Sequence, residues 1–357
     1  MKKYRTVLLN KAGLFGSAAV VLAIMFGLFY CRDQVFEGFA MGLKLCGGVL
    51  IPSLFPFMFL ANFIALSPLS SLLAKIVSPI TQILFGFGGR AGVSLVLSFV
   101  SGYPVAARLG QQLYEEGELS QNEARRFIAF GVNPGPAFCV SAVGAALLGS
   151  AKAGALILCS VLLSSAAVGI ITKPRPIAKP EMPTLSEPKS SATAFCLSAE
   201  ISAKSVGMIC AYTLLFSALL ELIKTLPFAE FWAKYTILAL EITSGLAALG
   251  RCPLPIFAAF ISFGSLSVLL QVISFAPSLN LKLGELLLGR LGCAALSAIF
   301  CYMLLSVFPV WLPDLSVMTY SARLERDDIM ASVCLVATVF VFLGYVGQLF
   351  FEKIQKI

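Results

Sequence analysis

Long apolar runs separated by short polar stretches follow one another along most of the chain. About 20 apolar helical residues are enough to cross the roughly 30 Å hydrocarbon core of a bilayer. Runs of this character lie near residues 13–30, 43–66, 79–107, 127–149, 152–172, 205–224, 231–249, 254–276, 284–311 and 329–351. Hydrophobic residues make up 59% of the 357 positions and charged residues 12%, whereas soluble domains average about 45–50% and about 25%. The pattern predicts an all-α polytopic membrane protein with the lipid bilayer as a partner.

Two neighbouring runs contain residues that disfavour a continuous helix. The sequence SGYP at residues 101–104 interrupts the first, and GVNPGP at residues 131–136 interrupts the second. We expect a discontinuous helix at each position, because proline removes a backbone donor and glycine lowers helix stability. Such breaks persist in a membrane only where protein or a water-filled cavity satisfies the freed backbone groups. In carriers they mark the binding site.

Local sequence predicts three further features around these breaks. Ser120 and Glu123 have the spacing of a capping box, which indicates the start of a new helix between the breaks. The run 43–66 contains Pro52 and Pro56 and is expected to be kinked. The stretch 72–92 is interrupted by charged, polar and helix-breaking residues, as is typical of an interfacial or re-entrant element.

The second half of the chain repeats the order of these features. The matching segments are SGYPVAARLG (101–110) with SGLAALGRCP (244–253), and RFIAFG (126–131) with AAFISFG (258–264). Arg108 and Arg251 each lie six residues beyond the glycine of their segment. We therefore expect two repeats, and the second one should break at Ser244-Gly245.

Charge and proline content predict the topology. Residues 173–199 contain five prolines and more lysine and arginine than glutamate, which indicates an extended cytoplasmic linker. The basic amino end is also expected inside, so run 43–66 starts outside, run 205–224 starts inside, and the two repeats are inverted. With these ends fixed, each half contains one more apolar run than the number of membrane crossings that the topology allows. We therefore expect one re-entrant hairpin in each half, with its tip at a break. The predicted parts are an amino-terminal transmembrane anchor (1–39), a first repeat (40–172), the Pro-rich linker (173–199) and a second repeat with carboxy-terminal spans (200–357).

Several classes of function lack their usual residues. The net charge of +8 comes from lysines and arginines scattered in short loops, which is typical of topology determinants and predicts no nucleic-acid partner. There is no histidine, no phosphate-binding loop of the Walker type, and none of the ten cysteines forms a Cys-x-x-Cys pair. Zinc hydrolysis, histidine-based catalysis and ATP-driven transport are therefore not expected. The sequence predicts neither an enzyme nor a bound metal or cofactor.

The strongest candidate for chemistry is Glu241, three residues before the Ser244-Gly245 pair. A carboxylate in an apolar run is costly unless it is paired, protonated or facing water, so it is either a substrate or proton site or part of a structural ion pair. Arg108 and Arg251 could neutralise an anion or anchor the chain at the interface. Arg290 is a weaker candidate that either pairs with Glu285 or extends to the interface.

Helix amino ends at the breaks would attract carboxylates through their free N–H groups and dipoles. Small hydroxyl and amide side chains could add neutral hydrogen bonds, and Ser262, Ser267 and Gln271 also belong to this group. The candidate substrate-binding residues are Ser101, Gly102, Tyr103, Pro104, Arg108, Asn133, Gly135, Glu241, Thr243, Ser244, Gly245, Arg251 and Ser265.

Taken in order, SGYP, GVNPGP, LEITSG and FISFGSLSV resemble the sporulation integral membrane protein YlbJ family, also called stage V sporulation protein V. That family belongs to the wider group with the nucleoside-recognition Gate domain, so the two repeats are expected to be Gate-like. The resemblance implies a multi-pass protein of the cell membrane or of the mother-cell-derived forespore membrane in an endospore-forming bacterium. It also implies movement of dipicolinate, an aromatic dianion, toward the forespore.

Three functions follow for testing. The first is a secondary transporter or facilitator of a small organic anion, with dipicolinate as the suspected substrate. The second keeps the fold and takes nucleosides through neutral hydrogen-bonding groups. The third is a non-transporting membrane scaffold for assembly of the spore envelope. A homo-oligomer is compatible with each of them.

Overall fold

Helices form the regular secondary structure of the described residues, and no strand occurs among them. The computed structural model describes residues 22, 25–27, 29–174, 190–225, 237–249 and 252–307. In chain order, the α-helices are α1 (Arg32–Leu45), α2 (Ile51–Leu66), α3 (Leu69–Phe85), α4 (Gly89–Ser101), α5 (Tyr103–Glu115), α6 (Gln121–Gly131), α7 (Ala151–Ile171), α8 (Ser191–Lys224), α9 (Ile242–Leu249), α10 (Leu254–Phe263), α11 (Leu266–Phe275) and α12 (Leu283–Val307). Two π-helical segments, Cys46–Leu50 and Ala137–Leu147, and a 3₁₀ turn, Pro277–Leu279, accompany them. The predicted all-α class is confirmed.

Five helical stretches within the described residues are long and apolar enough to cross a membrane. They are Arg32–Leu66, Ala151–Ile171, Ser191–Lys224, Leu254–Phe275 and Leu283–Val307. The protein is therefore a multi-pass membrane protein, as the apolar runs predicted. The run 329–351 lies outside the described residues, and the runs 13–30 and 231–249 are described only in part.

The first of these stretches is a helix of 35 residues that starts at Arg32, well before the predicted residue 43. It widens at the π-helical turn Cys46–Leu50, directly before Pro52. Proline cannot donate to the preceding turn, and a π-helical turn accommodates the missing bond. The expected kink is therefore a local widening of a helix that continues.

Residues 89–116 form a helical hairpin, which we call the first hairpin, with its tip at Gly102. Helix α4 ends at Ser101 and α5 begins at Tyr103. Gly102 has a φ of 103°, a value that strongly favours glycine. Arg90 at the start of α4 pairs with Glu116 just beyond the end of α5, at 2.7 Å. The two arms therefore run antiparallel, and the predicted break at residues 101–104 is the turn between them.

The next helical element, the first broken span, is interrupted where GVNPGP predicted. Helix α6 ends at Gly131, residues 132–135 are irregular, and the π-helical segment Ala137–Leu147 follows. The predicted capping box is present: the Ser120 hydroxyl accepts from the Glu123 amide, and the Glu123 carboxylate accepts from the Ser120 amide. Two prolines in the break cannot donate to a preceding turn, so the helix cannot continue through it.

A second hairpin lies at residues 237–249, and here the predicted break at Ser244-Gly245 is wrong. The chain is interrupted at Glu241, three residues earlier, and Gly245 lies inside α9. A Cβ on Gly245 would lie only 2.3 Å from Leu238 Cα. The glycine is needed because the two arms approach closely there, whereas the reversal itself occurs at Glu241.

The run 254–276, predicted as one continuous span, is also interrupted. Helix α10 ends at Phe263 and α11 begins at Leu266; we call this pair the second broken span. Gly264 has a φ of 88°, and the Ser265 hydroxyl caps α11 by accepting from the Val268 amide at 3.4 Å. Gly264 and Gly131 are the last residues of the two segments matched in the sequence, and both lie at the carboxyl end of a helix before a break.

Several helix ends meet at one end of the molecule, which we call the linker-side face because residues 174 and 190 flank the linker. Arg126 near the start of α6 donates to the carbonyl of Phe85 at the end of α3 (2.6 Å). Lys173 beyond α7 donates to Ile83 (2.5 Å). The start of α4 and the end of α5 lie on this side too, because α4 follows α3 directly.

Helix α3 carries an outward-facing apolar row on this face. Exposed residues of the row are Leu69, Leu72, Ile76, Ile80 and Ile83. Helix α3 meets α4 at an angle of 85°, so the predicted run 79–107 is divided among three helices. An exposed apolar row on a helix that bends sharply into the protein is a feature of interfacial helices. The interfacial or re-entrant character of residues 72–92 stays a prediction.

Candidate functional site

A small cavity lies between the two hairpins and the two broken spans. Its volume is about 50 Å³, enough for a few water molecules. The lining residues are Leu50, Leu54, Gly102, Tyr103, Pro104, Gly135, Phe138, Ile209, Thr213, Glu241, Ile242, Thr243, Ser267, Val268 and Gln271. The cavity thus brings together six of the predicted residues: Gly102, Tyr103, Pro104, Gly135, Glu241 and Thr243.

Four helix amino ends converge on this cavity. The first turn of α5 lines it with Pro104, that of the π-helical segment with Phe138, that of α9 with Thr243, and that of α11 with Ser267 and Val268. Each of these helices begins at a hairpin tip or at a break. Free N–H groups and the helix dipole make each amino end partly positive. The lining therefore has a positive electrostatic character without a basic side chain, since the described lining contains no lysine or arginine.

Glu241 is the carboxylate of this lining and is only 3% exposed. Its Oε1 accepts from the backbone amide of Thr243 at 3.0 Å, so the side chain caps α9 in the way that an acidic amino-cap residue does. A carboxylate bound to a helix amino end beside three others occupies the position that an anionic ligand would take. The predicted role as a substrate or proton site therefore has a suitable geometry.

Glycines let the first hairpin touch the first broken span at the cavity wall. A Cβ on Gly135 would lie 3.1 Å from the Val100 carbonyl oxygen and 3.2 Å from the Gly102 amide nitrogen. Tyr103 extends to the other broken span, where its hydroxyl donates to the carbonyl of Ile261 at 2.5 Å. The SGYP tip thus contacts both broken spans, which is why its residue types are so restricted.

The remaining polar lining is neutral. Gln271 donates to the hydroxyl of Ser267 at 3.3 Å, and Thr213 faces the same space from α8. The sequence reasoning missed Thr213. The sequence does contain a pattern that points to it. Ser205, Ile209, Thr213 and Ser217 follow one another at a spacing of four residues, and all are buried on one face of α8.

Four predicted residues lie near the breaks but do not line the cavity. Asn133 donates to the carbonyl of Phe130 at 2.8 Å and accepts from the hydroxyl of Ser165. Ser101 donates to the carbonyl of Phe57 at 3.3 Å, Ser265 caps α11, and Gly245 packs against the other arm of its hairpin. These residues stabilise the irregular backbone. Arg251 and the side chain of Ser244 lie outside the described residues.

Arg108 does not line the cavity either. Its guanidinium donates through Nη2 to Asn62 Oδ1 at 2.7 Å, and Asn62 in turn donates to the hydroxyl of Ser202 at 2.9 Å. This chain of hydrogen bonds joins α5, α2 and α8.

Arg290 was expected to pair with Glu285 or to extend to the interface, and it does neither. Its side chain on α12 is buried, with 1% exposure. It donates to the carbonyls of Val132 (2.5 Å), Phe263 (3.5 Å) and Ser262. Glu285 instead lies 3.7 Å from Lys282. Arg290 therefore joins the carboxyl ends of α6 and α10, where the helix dipoles are negative.

No cluster of three or more metal-ligating side chains occurs among the described residues. What the site can do is bind a small polar solute. Positive helix ends, one carboxylate and neutral hydrogen-bonding groups surround a small, partly open space.

Comparison with known proteins agrees with this arrangement. Residues 48–153, which include the first hairpin and most of the first broken span, match a family model described as "Gate: Nucleoside recognition". Over 170 residues the chain is 27% identical to a protein of Bacillus subtilis named "Sporulation integral membrane protein YlbJ", covering 48% of this chain and 40% of that relative. The chain thus matches less than half the length of that relative. No solved structure matches the chain. Both matches confirm the predicted resemblance.

Proposed function

We propose, with the Gate match of residues 48–153 as the premise, that this membrane protein is a secondary carrier or facilitator of a small organic anion. The observation that carries the proposal is the convergence of four helix amino ends on a cavity that also holds Glu241. Broken helices whose amino ends face a central site are a recurrent way for carriers to bind anionic groups within a membrane.

The path of the chain supports a re-entrant first hairpin. Both arms of the first hairpin have their outer ends at the linker-side face, as the Arg90–Glu116 pair requires. Thirteen residues in each arm reach only about 20 Å at about 1.5 Å per residue. The hairpin therefore enters the protein and returns without crossing. The first broken span then crosses and α7 returns, which gives the even number of crossings that the topology demands.

Glu241 gives the carrier a means of coupling. In the empty state its carboxylate occupies the positive field of the helix ends. An incoming carboxylate would compete for the same field, and a proton on Glu241 would remove the repulsion between the two groups. Binding of one proton with a monoanion keeps the net charge of the site unchanged, and with a dianion it makes the site more negative by a single charge instead of by two.

The cavity must enlarge during transport. Sites for drug-sized ligands usually have about 300–1,000 Å³, against the 50 Å³ found here. In the described conformation the cavity is therefore too small for a ligand of that size. The hairpin tips are the parts best placed to move, because each is a short turn between two helices.

Dipicolinate is the first substrate to test. It is a planar dianion, and two carboxylates suit a site with several helix amino ends. The name of the relative from Bacillus subtilis associates that protein with sporulation, and a forespore membrane would be the corresponding location for this one. A nucleoside is the second candidate, favoured by the name of the Gate family and by the neutral side chains Thr213, Thr243, Ser267 and Gln271.

Uptake into proteoliposomes tests these proposals. We expect the protein to accumulate labelled dipicolinate when the outside is more acidic, with little competition from uridine. Glu241→Gln should abolish accumulation driven by the pH gradient and leave exchange of dipicolinate, because the amide still caps α9 but cannot be protonated. Glu285→Gln, an exposed residue of α12, is the matched control. If the protein takes up uridine but not dipicolinate, the substrate is a nucleoside and not an organic anion. Uptake of neither compound would contradict the proposed carrier function.

A further inference from the structure

The guanidinium of Arg108 is a partly buried positive charge whose own contacts do not satisfy it. Its Nε is shielded from solvent and has no hydrogen-bond partner among the described residues. Nη2 binds only the neutral amide of Asn62, and no carboxylate of the described chain lies within ion-pair distance of Arg108. A charge removed from water without a counter-charge is costly. Within a membrane such residues usually mark the path of a substrate or ion.

Arg108 lies on the same three helices that form one wall of the cavity. Helix α5 contributes Pro104 to the lining and carries Arg108 one turn further. Helix α2 lines the cavity with Leu54 and binds Arg108 through Asn62. Helix α8 lines it with Thr213 and completes the polar chain with Ser202. Four residues of α5 correspond to about 6 Å. Arg108 therefore lies about one helical turn from the cavity, which is a short distance for a small ligand.

The polar row continues from Arg108 toward the linker-side face. Gln111 and Glu115 follow at spacings of three and seven residues, which places all three side chains on one side of α5. Gln111 donates to Glu115 at 2.5 Å, while its carbonyl oxygen Oε1 is buried without a partner. Helix α5 ends at Glu115, at the linker-side face. Glu115 also accepts from the hydroxyl of Ser278 at 3.2 Å. A row of polar groups, in which Arg108 Nε and Gln111 Oε1 have no partner among the described residues, thus extends from the cavity to that surface.

We propose that Arg108 is a second anion site, which holds a carboxylate of the transported solute between the cavity and the linker-side face. This inference rests on the proposed anion transport and adds the direction of the inner path. Nε and Nη2 lie on one edge of the guanidinium, and that edge offers two donors to a carboxylate in the paired geometry that arginine prefers. Asn62 would be displaced from Nη2 as the anion binds and would keep its bond to Ser202.

The test compares the two directions of transport. Labelled dipicolinate is supplied to membrane vesicles of the two opposite orientations, so that it enters either from the linker-side face or from the other face. Arg108→Gln should raise the half-saturating concentration from the linker-side face about tenfold or more, the effect of losing a charge-assisted hydrogen bond in a buried site. From the other face it should change less than about twofold. Arg108→Lys should fall between, because it keeps the charge and loses the paired geometry.

A matched control and three outcomes make the test decisive. Arg125→Gln removes an arginine that binds the carbonyls of Leu279 and Asn280 away from the α2–α5–α8 junction, and it should leave both directions unchanged. Equal values for the parent and Arg108→Gln in both orientations would overturn the second site while leaving the carrier intact. An equal loss from both faces would also overturn it, since it would indicate general damage. A parent protein that transports no dipicolinate in either orientation would contradict the proposed function itself and the second site with it.

Discussion

Replacement of Arg290 by methionine tests whether one side chain holds the two broken spans together. Methionine fills a similar length but donates no hydrogen bond, so the carbonyls of Val132 and Ser262 would lose their partner inside the protein. Each unsatisfied buried polar group costs about 1–3 kcal/mol, which gives a loss of about 2–6 kcal/mol for the two. The substitution also removes the cost of desolvating a buried charge, and this offsets part of the loss in stability. We expect a net loss of several kcal/mol.

Thermal unfolding in detergent, followed by the loss of the monodisperse peak in size-exclusion chromatography, measures the effect. The lowering of Tm should amount to several degrees, since about 1 kcal/mol corresponds to only a few degrees in a chain of this size. Arg125→Met is the control, because Arg125 also binds two carbonyls but at a more exposed position; it should lower Tm by no more than about one degree. An Arg290→Met protein as stable as Arg125→Met would refute the idea that Arg290 joins the two breaks.

Two other predictions concern the backbone near the cavity. Gly245→Ala should destabilise the protein strongly because the new Cβ would meet Leu238 Cα. Gly289→Ala has nothing within 4 Å of the new Cβ and should be neutral or stabilising by up to about 1 kcal/mol. Thermal unfolding of the two variants compares them directly, and equal stability would contradict the close approach of the two arms. Asn133→Ala and Ser165→Ala should show a coupling of about 0.5–2 kcal/mol in a double-mutant cycle, because one hydrogen bond joins them; additive effects would mean that this bond does not hold the break.

The sequence predicted the breaks that contain proline, missed the break at Gly264 and misplaced the break at Glu241, neither of which contains proline. Two prolines at positions 134 and 136 with a glycine between them strongly disfavour a continuous helix by local chemistry alone. Gly264 could equally have continued a helix at a cost of about 1 kcal/mol, and its positive φ depends on Ser265 capping the next helix. The same limit explains the misplaced break of the second half. Gly245 was read as a turn residue, but its role is to admit Leu238, which only the packed hairpin reveals.

The charged residues show a different limit of prediction from sequence, which lies in the identity of their partners. Glu241 could be singled out because a buried carboxylate needs a reason wherever it lies. The position of Arg108 depends on where α5 begins and on which neighbours it meets. Six residues beyond Gly102 place it more than a turn past the hairpin tip, where it binds Asn62 from α2 and cannot line the cavity. Arg290 was undervalued because its partners are backbone carbonyls, which no residue pattern displays.

The charges of the broken spans explain why Arg290 and the cavity depend on each other. A helix that is interrupted within a membrane creates two ends at the break, one negative carboxyl end and one positive amino end. With both signs side by side, the fields would largely cancel at the site. Arg290 binds the carboxyl ends of α6 and α10, so their negative charge is compensated away from the cavity. The amino ends of the π-helical segment and α11 are left to act on the cavity, together with those of α5 and α9. One buried arginine therefore lets four partly positive helix ends act as an anion site, and Glu241 is the internal carboxylate that this site binds when no substrate is present.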